Sequence, residues 1–296
     1  MKVSVGDKLF TSNIDSYLLD ILKETHIPRG CMKGLCRVCK CRLIKGTVEV
    51  EGKQIEGPAD ILPCITSPIS DVSIKLYDEK LASSSIELIE ELDDKILQVT
   101  LKTVKRNFYN SKTIVNIKHP EKNLTRPYSL VSLPNVGYDQ LVFHVKLQDK
   151  GEFSTLFEKL SQGFPINFKL ENQQLPIYRG ANGFKKVIVV AGGTGMGAAL
   201  SRGVELIRNY KLQELYVYAI NRGTLSQYHQ YCLDQFQQLL PTKTTVDNIP
   251  YQEWITGARP IVYDKNSIIV AIGSNNVISV LDQQTINCIT EIERFG

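Results

Sequence analysis

The chain has 296 residues, of which 43% are hydrophobic and 22% charged, and its formal net charge at pH 7 is +4. This composition is typical of a globular protein of two or three domains, and the small net charge does not indicate a nucleic-acid partner. No apolar run approaches the roughly 18 residues of a membrane span, and the N-terminus lacks the apolar core of a signal peptide, so we expect a cytoplasmic protein with no membrane partner.

The first segment, predicted as a domain over residues 1–82, begins with an alternating strand pattern in KVSVGDKLFT. The stretch SNIDSYLLDILKETHI then places apolar residues on one helical face, after a capping serine or asparagine. After a cysteine-rich loop, KCRLIKGTVEV resumes an extended pattern. A polar, serine-rich stretch over residues 78–85 predicts a linker to the next segment.

Four cysteines dominate this first segment. Cys31, Cys36 and Cys39 have the spacing C-x4-C-x2-C, and Cys64 follows in LPCITSP. Because cytoplasmic thiols are kept reduced, this pattern indicates metal or redox chemistry rather than disulfides. It is the spacing of plant-type [2Fe-2S] ferredoxins, whereas zinc sites usually pair two short turns across a longer gap. We predict a cluster with these four ligands, keep structural zinc as the alternative, and interpret Cys41 as a strand residue beside the site.

The cysteine loop is also basic, with no acidic residue between Arg29 and Gly46. Two interpretations remain open: a solvated face that offsets an anionic cluster, or a docking surface for an acidic partner protein. The basic residues are Arg29, Lys33, Arg37, Lys40, Arg42 and Lys45.

The second segment, predicted as a domain over residues 86–180, is rich in short strand patterns. KILQVTLKTV, KTIVNIKH, YSLVSLP, QLVFHVKLQ and FPINFKL are separated by turn signals, which favours an antiparallel β-barrel. The stretch GEFSTLFEKLSQG predicts one helix among them.

The third segment, predicted as a domain over residues 184–296, alternates continuous apolar strands with amphipathic helices. KKVIVVA, ELYVYAI and SIIVAIG are the strands, and AALSRGVELIRNY is the clearest helix. This alternation predicts a doubly wound parallel sheet covered on both faces. The fold class is therefore multidomain, with α+β, β and α/β parts.

The stretch TRPYSLVSLP in the second segment has side chains suited to a flavin dinucleotide. Arg126 is a bidentate donor for a pyrophosphate, Tyr128 a flat wall for an isoalloxazine, and Ser129 a hydrogen-bond donor. Further on, Gly151 and Ser154 open the predicted helix, and helix N-termini attract phosphates.

The stretch VIVVAGGTGMGAAL places glycines where a buried strand turns into a helix, the position at which α/β sheets bind phosphates. Gly193, Gly195 and Ala198 satisfy G-x-G-x-x-A. The acidic residue that usually completes this fingerprint is replaced by Asn221 and Arg222.

The order of four motifs along the chain resembles that of the flavin-dependent reductases of multicomponent bacterial oxygenases. The motifs are a ferredoxin-type loop, R-P-Y-S, G-x-x-S and a glycine-rich turn. The pattern is most similar to the ring-hydroxylating dioxygenase reductases of the naphthalene and carbazole type, in the ferredoxin-NADP reductase superfamily. The resemblance covers nearly the whole chain and implies a ferredoxin β-grasp domain, an FAD-binding barrel and an NAD(P)H-binding domain.

The resemblance also implies roles for individual residues. FAD would contact Arg126, Tyr128, Ser129, the strand residues His144, Val145 and Lys146, and, through its phosphates, Gly151 and Ser154. NADH or NADPH would contact Gly192, Gly193, Thr194, Gly195, Asn221, Arg222 and Gly273. Phe295 is either a stacking partner of the flavin or part of a frayed tail.

Three features depart from the family pattern. Met196, Gly197 and Ala198 follow the Gly-Thr-Gly turn where an apolar residue, a small residue and a proline are usual. The P-G-Q commonly seen ahead of R-x-Y-S is absent. Ala271 replaces the cysteine expected beside the nicotinamide, and Gly273 is followed by Ser274 instead of proline. The nicotinamide end of the pattern is therefore weaker than the flavin end.

The predicted function follows from cofactor chemistry. Nicotinamide gives up two electrons as hydride, an iron-sulfur cluster accepts one at a time, and a flavin does both. We expect electrons to pass from NAD(P)H through FAD and the cluster to a terminal oxygenase or its Rieske or plant-type ferredoxin, with no acid/base catalytic residue. Two alternatives remain: an electron-transfer flavoprotein without a working nicotinamide site, and a zinc-binding interaction module with a degenerate nucleotide fold.

Overall fold

In the computed structural model, most of the chain is described, with short gaps around the cysteine loop and in several connections. Asp282 and Phe295 are described as backbone only. The described residues are 1–11, 16–25, 27, 29, 32, 34, 37–77, 80–93, 95–133, 139–149, 151, 153–173, 175, 178, 183–222, 226–282 and 288–295.

Two compact units make up the chain. The first comprises Met1–Ser83, Asn116–Pro127 and Ile166–Lys169, and the second comprises Ser84–Val115, Tyr128–Pro165 and Leu170–Gly296. The three-domain division with boundaries at residues 82, 86, 180 and 184 stays a prediction.

The N-terminal segment folds into two small sheets around one core. The larger sheet has the order β2-β1-β8-β3-β6 and the smaller one β5-β4-β7. Val3, Cys41, Leu43 and Ile74 of the larger sheet pack with Leu18 of the short helix α1. The elements are β1 (Lys2–Val5), β2 (Lys8–Thr11), α1 (Leu18–Ile21), β3 (Cys41–Lys45), β4 (Thr47–Val50), β5 (Lys53–Glu56), β6 (Ala59–Ile61), β7 (Thr66–Pro68) and β8 (Val72–Leu76).

Six strands form the next sheet, in the order β12-β11-β14-β9-β10-β13. A bridge between Leu130, just after β12, and Phe143 of β13 joins the two ends of this order. The sheet therefore closes on itself, as the spacing of the strand patterns predicts. The strands are β9 (Ala82–Asp93), β10 (Ile96–Thr103), β11 (Ile114–Lys118), β12 (Thr125–Ser129), β13 (Gln140–Lys146) and β14 (Pro165–Glu171).

The predicted helix over residues 151–163 is wrong. A single 3-10 turn, Ser154–Leu156, is the regular structure there. Gly151 lies against Ser154 and Gln148, and the Ser154 hydroxyl accepts a hydrogen bond from the Gln148 N–H at 3.0 Å. The serine therefore closes a local turn, which competes with continuing a helix.

The C-terminal segment is a doubly wound parallel sheet in the order β17-β16-β15-β18-β19. Apolar clusters cover both faces, as the continuous hydrophobic strands predict. The chain moves from β15 to β16 on one side and later returns to β18 on the other, which makes the carboxyl end of β15 the topological switch point. The elements are β15 (Lys186–Gly192), α2 (Gly195–Tyr210), β16 (Glu214–Asn221), α3 (Gln227–Phe236), β17 (Lys243–Pro250), α4 (Tyr251–Ile255), β18 (Ser267–Ser274), α5 (Asn275–Asp282) and β19 (Ile289–Phe295).

Candidate functional site

Two of the four predicted cluster ligands lie side by side in the first unit. The Sγ atoms of Cys39 and Cys64 are 3.4 Å apart, and both residues are buried. A disulfide would bring the sulfurs to about 2.05 Å, whereas two thiolates on one tetrahedral metal, with bonds of about 2.3 Å, stand about 3.8 Å apart. The observed separation excludes a disulfide and lies within about 0.4 Å of the spacing of two ligands on one metal ion.

Cys31 and Cys36 lie outside the described residues, and within those residues no group of three metal-binding side chains forms. Gly34, a described residue between them, nevertheless packs closely on Ile65, the neighbour of Cys64. Gly34 has φ +75°, and a Cβ there would approach Ile65 Cδ1 to 2.6 Å. This glycine is needed both for its backbone conformation and for the close approach of the loop.

Cys41 is unlike the predicted ligands. Its side chain is fully buried in β3, and burial, together with the nearby Asp60 carboxylate, raises the pKa of the thiol to about 12. A thiol with such a pKa is protonated and unreactive at neutral pH. The interpretation of Cys41 as a strand residue fits this environment.

The basic loop is partly neutralised within its own unit. Asp60 accepts hydrogen bonds from Tyr77 at 2.6 Å and Arg42 at 2.9 Å, and lies 2.9 Å from the Lys40 ammonium. Arg29 donates to the Leu19 carbonyl at 3.1 Å. Among the described basic residues, Lys40 and Arg42 thus share one carboxylate, whereas Arg29 donates to a neutral carbonyl, so Asp60 offsets one positive charge of this surface.

The R-P-Y-S motif forms β12 itself. The Tyr128 ring stacks on Phe143 with centroids 4.9 Å apart and meets Phe157 edge-on at 6.0 Å. Because side chains alternate along a strand, Arg126 and Tyr128 share one face and Ser129 lies on the other. The Arg126 guanidinium donates to the adjacent Thr125 carbonyl at 3.2 Å.

Ser129 faces the C-terminal strand. Its hydroxyl donates to the Glu293 carboxylate of β19. Burial is the main influence on Glu293 and raises the pKa of its carboxyl. No local pattern in the sequence indicates Glu293, because it lies 164 positions from Ser129. The backbone of Phe295 pairs with Ser274 at the end of the same strand.

His144 is an interior residue rather than an exposed lining residue. Its Nδ1 lies 2.8 Å from the Tyr228 hydroxyl of α3, and burial lowers the pKa of the imidazole to about 3. A Cβ on Gly197 would approach that Nδ1 to 2.8 Å. Of the three predicted strand residues, Val145 is also buried, and only Lys146 is exposed.

Tyr228, a second residue that the sequence analysis missed, links this strand to the nucleotide turn. Its hydroxyl donates to the Thr194 carbonyl at 3.2 Å and accepts from the Gly197 N–H at 3.4 Å. The contacts span more than 30 residues in each case, so no spacing signal could have identified them.

The predicted glycine turn lies between β15 and α2, at the switch point of the sheet. Gly193 has φ +56°, and a Cβ on Gly195 would come within 2.4 Å of the Ile272 carbonyl oxygen. Gly273 stands beside Gly192, with its ideal Cβ position 3.6 Å from the Gly192 nitrogen. Glycines therefore stand where the strand turns into α2, the place at which phosphates bind in such sheets. The next two N–H groups, of Met196 and Gly197, are bonded internally to the Gly193 carbonyl and the Tyr228 hydroxyl.

Asn221 and Arg222 lie at the carboxyl end of β16. The Asn221 amide donates to Asn248 Oδ1 of β17. Arg222 lines a pocket of about 440 Å³ together with Pro250, Tyr251 and Gln252. An arginine and a tyrosine at one pocket can contact a phosphate and an aromatic base.

His229 is a third residue without a sequence signal. It lies in the first turn of α3 and is 2% exposed. Burial is the largest effect and lowers the pKa of its imidazole, against an opposing hydrogen bond to the Gly193 backbone. The His229 side chain therefore contacts the backbone of the glycine turn.

Comparison with known proteins finds one matching domain and several similar reductases. Residues 5–68 match the 2Fe-2S iron-sulfur cluster binding domain. The reductase component of the naphthalene 1,2-dioxygenase/salicylate 5-hydroxylase systems of Ralstonia sp. is 25% identical over 203 residues, 63% of this chain and 60% of the relative. A CDP-6-deoxy-L-threo-D-glycero-4-hexulose-3-dehydrase reductase of Yersinia pestis is 28% identical over 74% of this chain and 70% of its own length.

Solved structures extend the likeness to the whole chain. An Amycolatopsis cytochrome P450 reductase has a TM-score of 0.64 at 16% identity, covering 99% of this chain and 98% of its own. The ferredoxin reductase in carbazole 1,9a-dioxygenase has a TM-score of 0.63 at 18% identity, covering 100% and 98%. Among the described residues, no helix combines the length and the apolar character that crossing a bilayer demands. The chain is thus similar to proteins named as ferredoxin reductase components, its residues 5–68 match the 2Fe-2S iron-sulfur cluster binding domain, and its fold is that of a ferredoxin reductase.

Proposed function

We propose that this protein is an oxidoreductase that passes electrons from NAD(P)H through FAD and a [2Fe-2S] cluster to an oxygenase or its ferredoxin. The observation that carries the proposal is the pair of buried sulfurs, Cys39 and Cys64, at ligand spacing inside the matched domain. The assigned domains are residues 1–82 for the cluster, 86–180 for FAD and 184–296 for the nicotinamide nucleotide.

In this function a bound flavin converts two-electron hydride chemistry into single-electron transfer. The residues of the chain bind and orient the cofactors. Cys31, Cys36, Cys39 and Cys64 would hold the cluster, and the exposed Lys146 with the Arg126 guanidinium would offer positive charge to the flavin pyrophosphate.

The nucleotide side of the protein would bind its ligand at the switch point. The N–H groups of Gly193, Thr194 and Gly195 would face the phosphates, and Arg222 with Tyr251 would form the adenosine end of the site. An arginine there can accept a 2′-phosphate, so NADPH and NADH are both to be tested.

The first experiment measures cofactor content and nucleotide specificity together. The purified protein should be brown-yellow, with one FAD and two irons per chain. Anaerobic addition of NADH or NADPH, followed by visible absorption, should bleach the flavin with at least one nucleotide. A colourless, zinc-containing protein would instead support the interaction module.

The cluster assignment has a matched cysteine control. Cys39→Ser and Cys36→Ser should lose the iron and electron delivery to a cluster-dependent acceptor while flavin still reduces dyes directly. Cys288→Ser, a half-buried cysteine of the second unit, should keep both. Unchanged iron content in Cys39→Ser would contradict the ligand assignment.

One observation favours the flavoprotein without a nicotinamide site as a second candidate. The first turn of α2 is held internally, because the Gly197 N–H donates to Tyr228 and Gly197 packs on His144. If neither nucleotide bleaches the flavin while FAD and iron are present, this candidate replaces the first.

The final electron acceptor is the least specified part of the proposal. The Ralstonia relative is named for an oxygenase system, and the Yersinia relative for a dehydrase. We favour an oxygenase component or its Rieske or plant-type ferredoxin, because the oxygenase-related names recur among the relatives. Affinity capture with the cluster-loaded protein, followed by reconstitution of electron transfer, tests the choice.

A further inference from the structure

A buried ion pair joins α2 to β19, and neither of its members is assigned to a cofactor. Arg202 is 2% exposed, and its Nε and Nη2 atoms donate to the two carboxylate oxygens of Glu291 at 2.8 and 2.6 Å. The Glu291 side chain is 8% exposed. Both prongs of the guanidinium are therefore used on one carboxylate, which fixes their relative orientation as well as their distance.

Two further groups bind the same carboxylate. The Tyr178 hydroxyl donates to Glu291, and the Lys112 ammonium lies 3.4 Å from it. Burial alone would raise the pKa of the Glu291 carboxyl, but its bonds to Arg202 and Tyr178 and the charge of Lys112 outweigh burial and lower it. Glu291 is thus a buried charge that depends on its partners.

Arg202 is itself held on its other side. Its Nη1 atom lies 3.3 Å from the Glu205 carboxylate and 3.4 Å from the Ser111 hydroxyl. Glu205 also accepts the Ser111 backbone N–H at 3.1 Å. Contacts other than those with Glu291 therefore also hold the guanidinium in place.

The strand that Glu291 anchors is the last in its sheet, so among the described strands it pairs with β18 alone. An edge strand has backbone hydrogen bonds on one side only, and side-chain anchors contribute more to its position. Glu291 and Glu293 are two residues apart and share a face of β19. Glu293 accepts a hydrogen bond from the Ser129 hydroxyl of β12. The residue that binds Arg202 is therefore two positions along β19 from the residue that contacts the predicted flavin strand.

We propose that Arg202 is a positioning residue for the flavin site: by clamping Glu291, it seats β19 so that Glu293 meets Ser129 beside the flavin. This role rests on the proposed function, because Ser129 faces a flavin only if FAD binds there.

A double-mutant cycle tests the role. The variants are Arg202→Gln, Ser129→Ala and their combination, and the readout is the FAD dissociation constant of the apoprotein, from quenching of flavin fluorescence. The single proton of the Ser129 hydroxyl goes to Glu293, so its oxygen would contact the flavin as an acceptor and not as the donor that the sequence predicts. Loss of one such hydrogen bond corresponds to roughly 2- to 12-fold weaker binding. We expect Ser129→Ala to weaken FAD binding within that range in the wild type and by less than about 2-fold in Arg202→Gln. Arg202→Lys, which keeps the charge and loses the two-pronged geometry, should fall between.

Equal effects of Ser129→Ala in both backgrounds would overturn the proposal, since a merely structural arginine gives additive changes. If Arg202→Gln does not fold, Glu291→Gln takes its place in the cycle, with the same expected non-additivity. Arg259→Gln, which removes an exposed ion pair with Asp247, is the matched control and should leave FAD affinity unchanged. A wild type that binds no FAD refutes the proposed function and this role together, whereas binding with additive effects refutes the role of Arg202 alone.

Discussion

Lowering the pH from 7 to 5 should destabilise the second unit through His144. The imidazole is 9% exposed, and burial lowers its pKa from 6.5 to about 3. In the unfolded chain the pKa of the imidazole is near 6.5, so below that pH the unfolded state binds a proton that the folded state does not bind. Stability is therefore lost as the pH falls from about 6.5 towards 3, and it is intact above that window.

The magnitude follows from the pKa difference. At about 1.4 kcal/mol per pH unit, the 1.5 units between 6.5 and 5 correspond to about 2 kcal/mol, and the full shift to about 5 kcal/mol. His144→Gln has no titrating group at this position. We expect its free energy of unfolding to fall by about 2 kcal/mol less than that of the wild type between pH 7 and pH 5.

Urea unfolding at both pH values, followed by tryptophan fluorescence, measures this difference. The sequence has one tryptophan, Trp254, which is fully buried in the second unit and reports on that unit. Tyr228→Phe is the control: burial, and not the Tyr228 hydrogen bond, lowers the His144 pKa, so this variant should keep the wild-type pH dependence. Equal losses in the wild type and His144→Gln would refute the reasoning.

Three further predictions concern other parts of the molecule. Gly195→Ala should lower the free energy of unfolding by about 1–3 kcal/mol in urea titrations, because the added Cβ would lie 2.4 Å from the Ile272 carbonyl oxygen. A variant as stable as the wild type would mean that the turn moves to accommodate the methyl group. Wild-type stability should fall as the pH rises from the ordinary glutamate pKa through the raised pKa of Glu293, because the buried carboxyl then ionises beside Ser129. Glu293→Gln has no ionisable group there and should lose less stability over the same range. Thermal unfolding measures both proteins, and equal losses would contradict this prediction. Arg259→Gln should change the free energy of unfolding by less than about 1 kcal/mol, because its ion pair with Asp247 is exposed to solvent. A larger loss in the same urea titrations would mean that solvent does not screen this pair.

Local sequence spacing was sufficient for the features that depend on neighbouring residues. The alternating strands of the barrel and the apolar strands of the nucleotide sheet repeat over short distances, because backbone geometry sets their periods. The four-cysteine ligand set stays a prediction, since Cys31 and Cys36 lie outside the described residues. The same reasoning failed over residues 151–163, where Ser154 bonds to Gln148 and the helical pattern yields one 3-10 turn.

Tertiary structure decided which side chains meet. Glu293 reaches Ser129 across 164 residues, Tyr228 reaches His144 across 84, and Arg202 reaches Glu291 across 89. No repeating spacing in the sequence indicates such pairs, because they depend on the order of the strands and on which face of each element is buried. The sequence by itself therefore determined the elements and the cysteine and glycine motifs, whereas the polar contacts around them were decided by how the strands and helices pack.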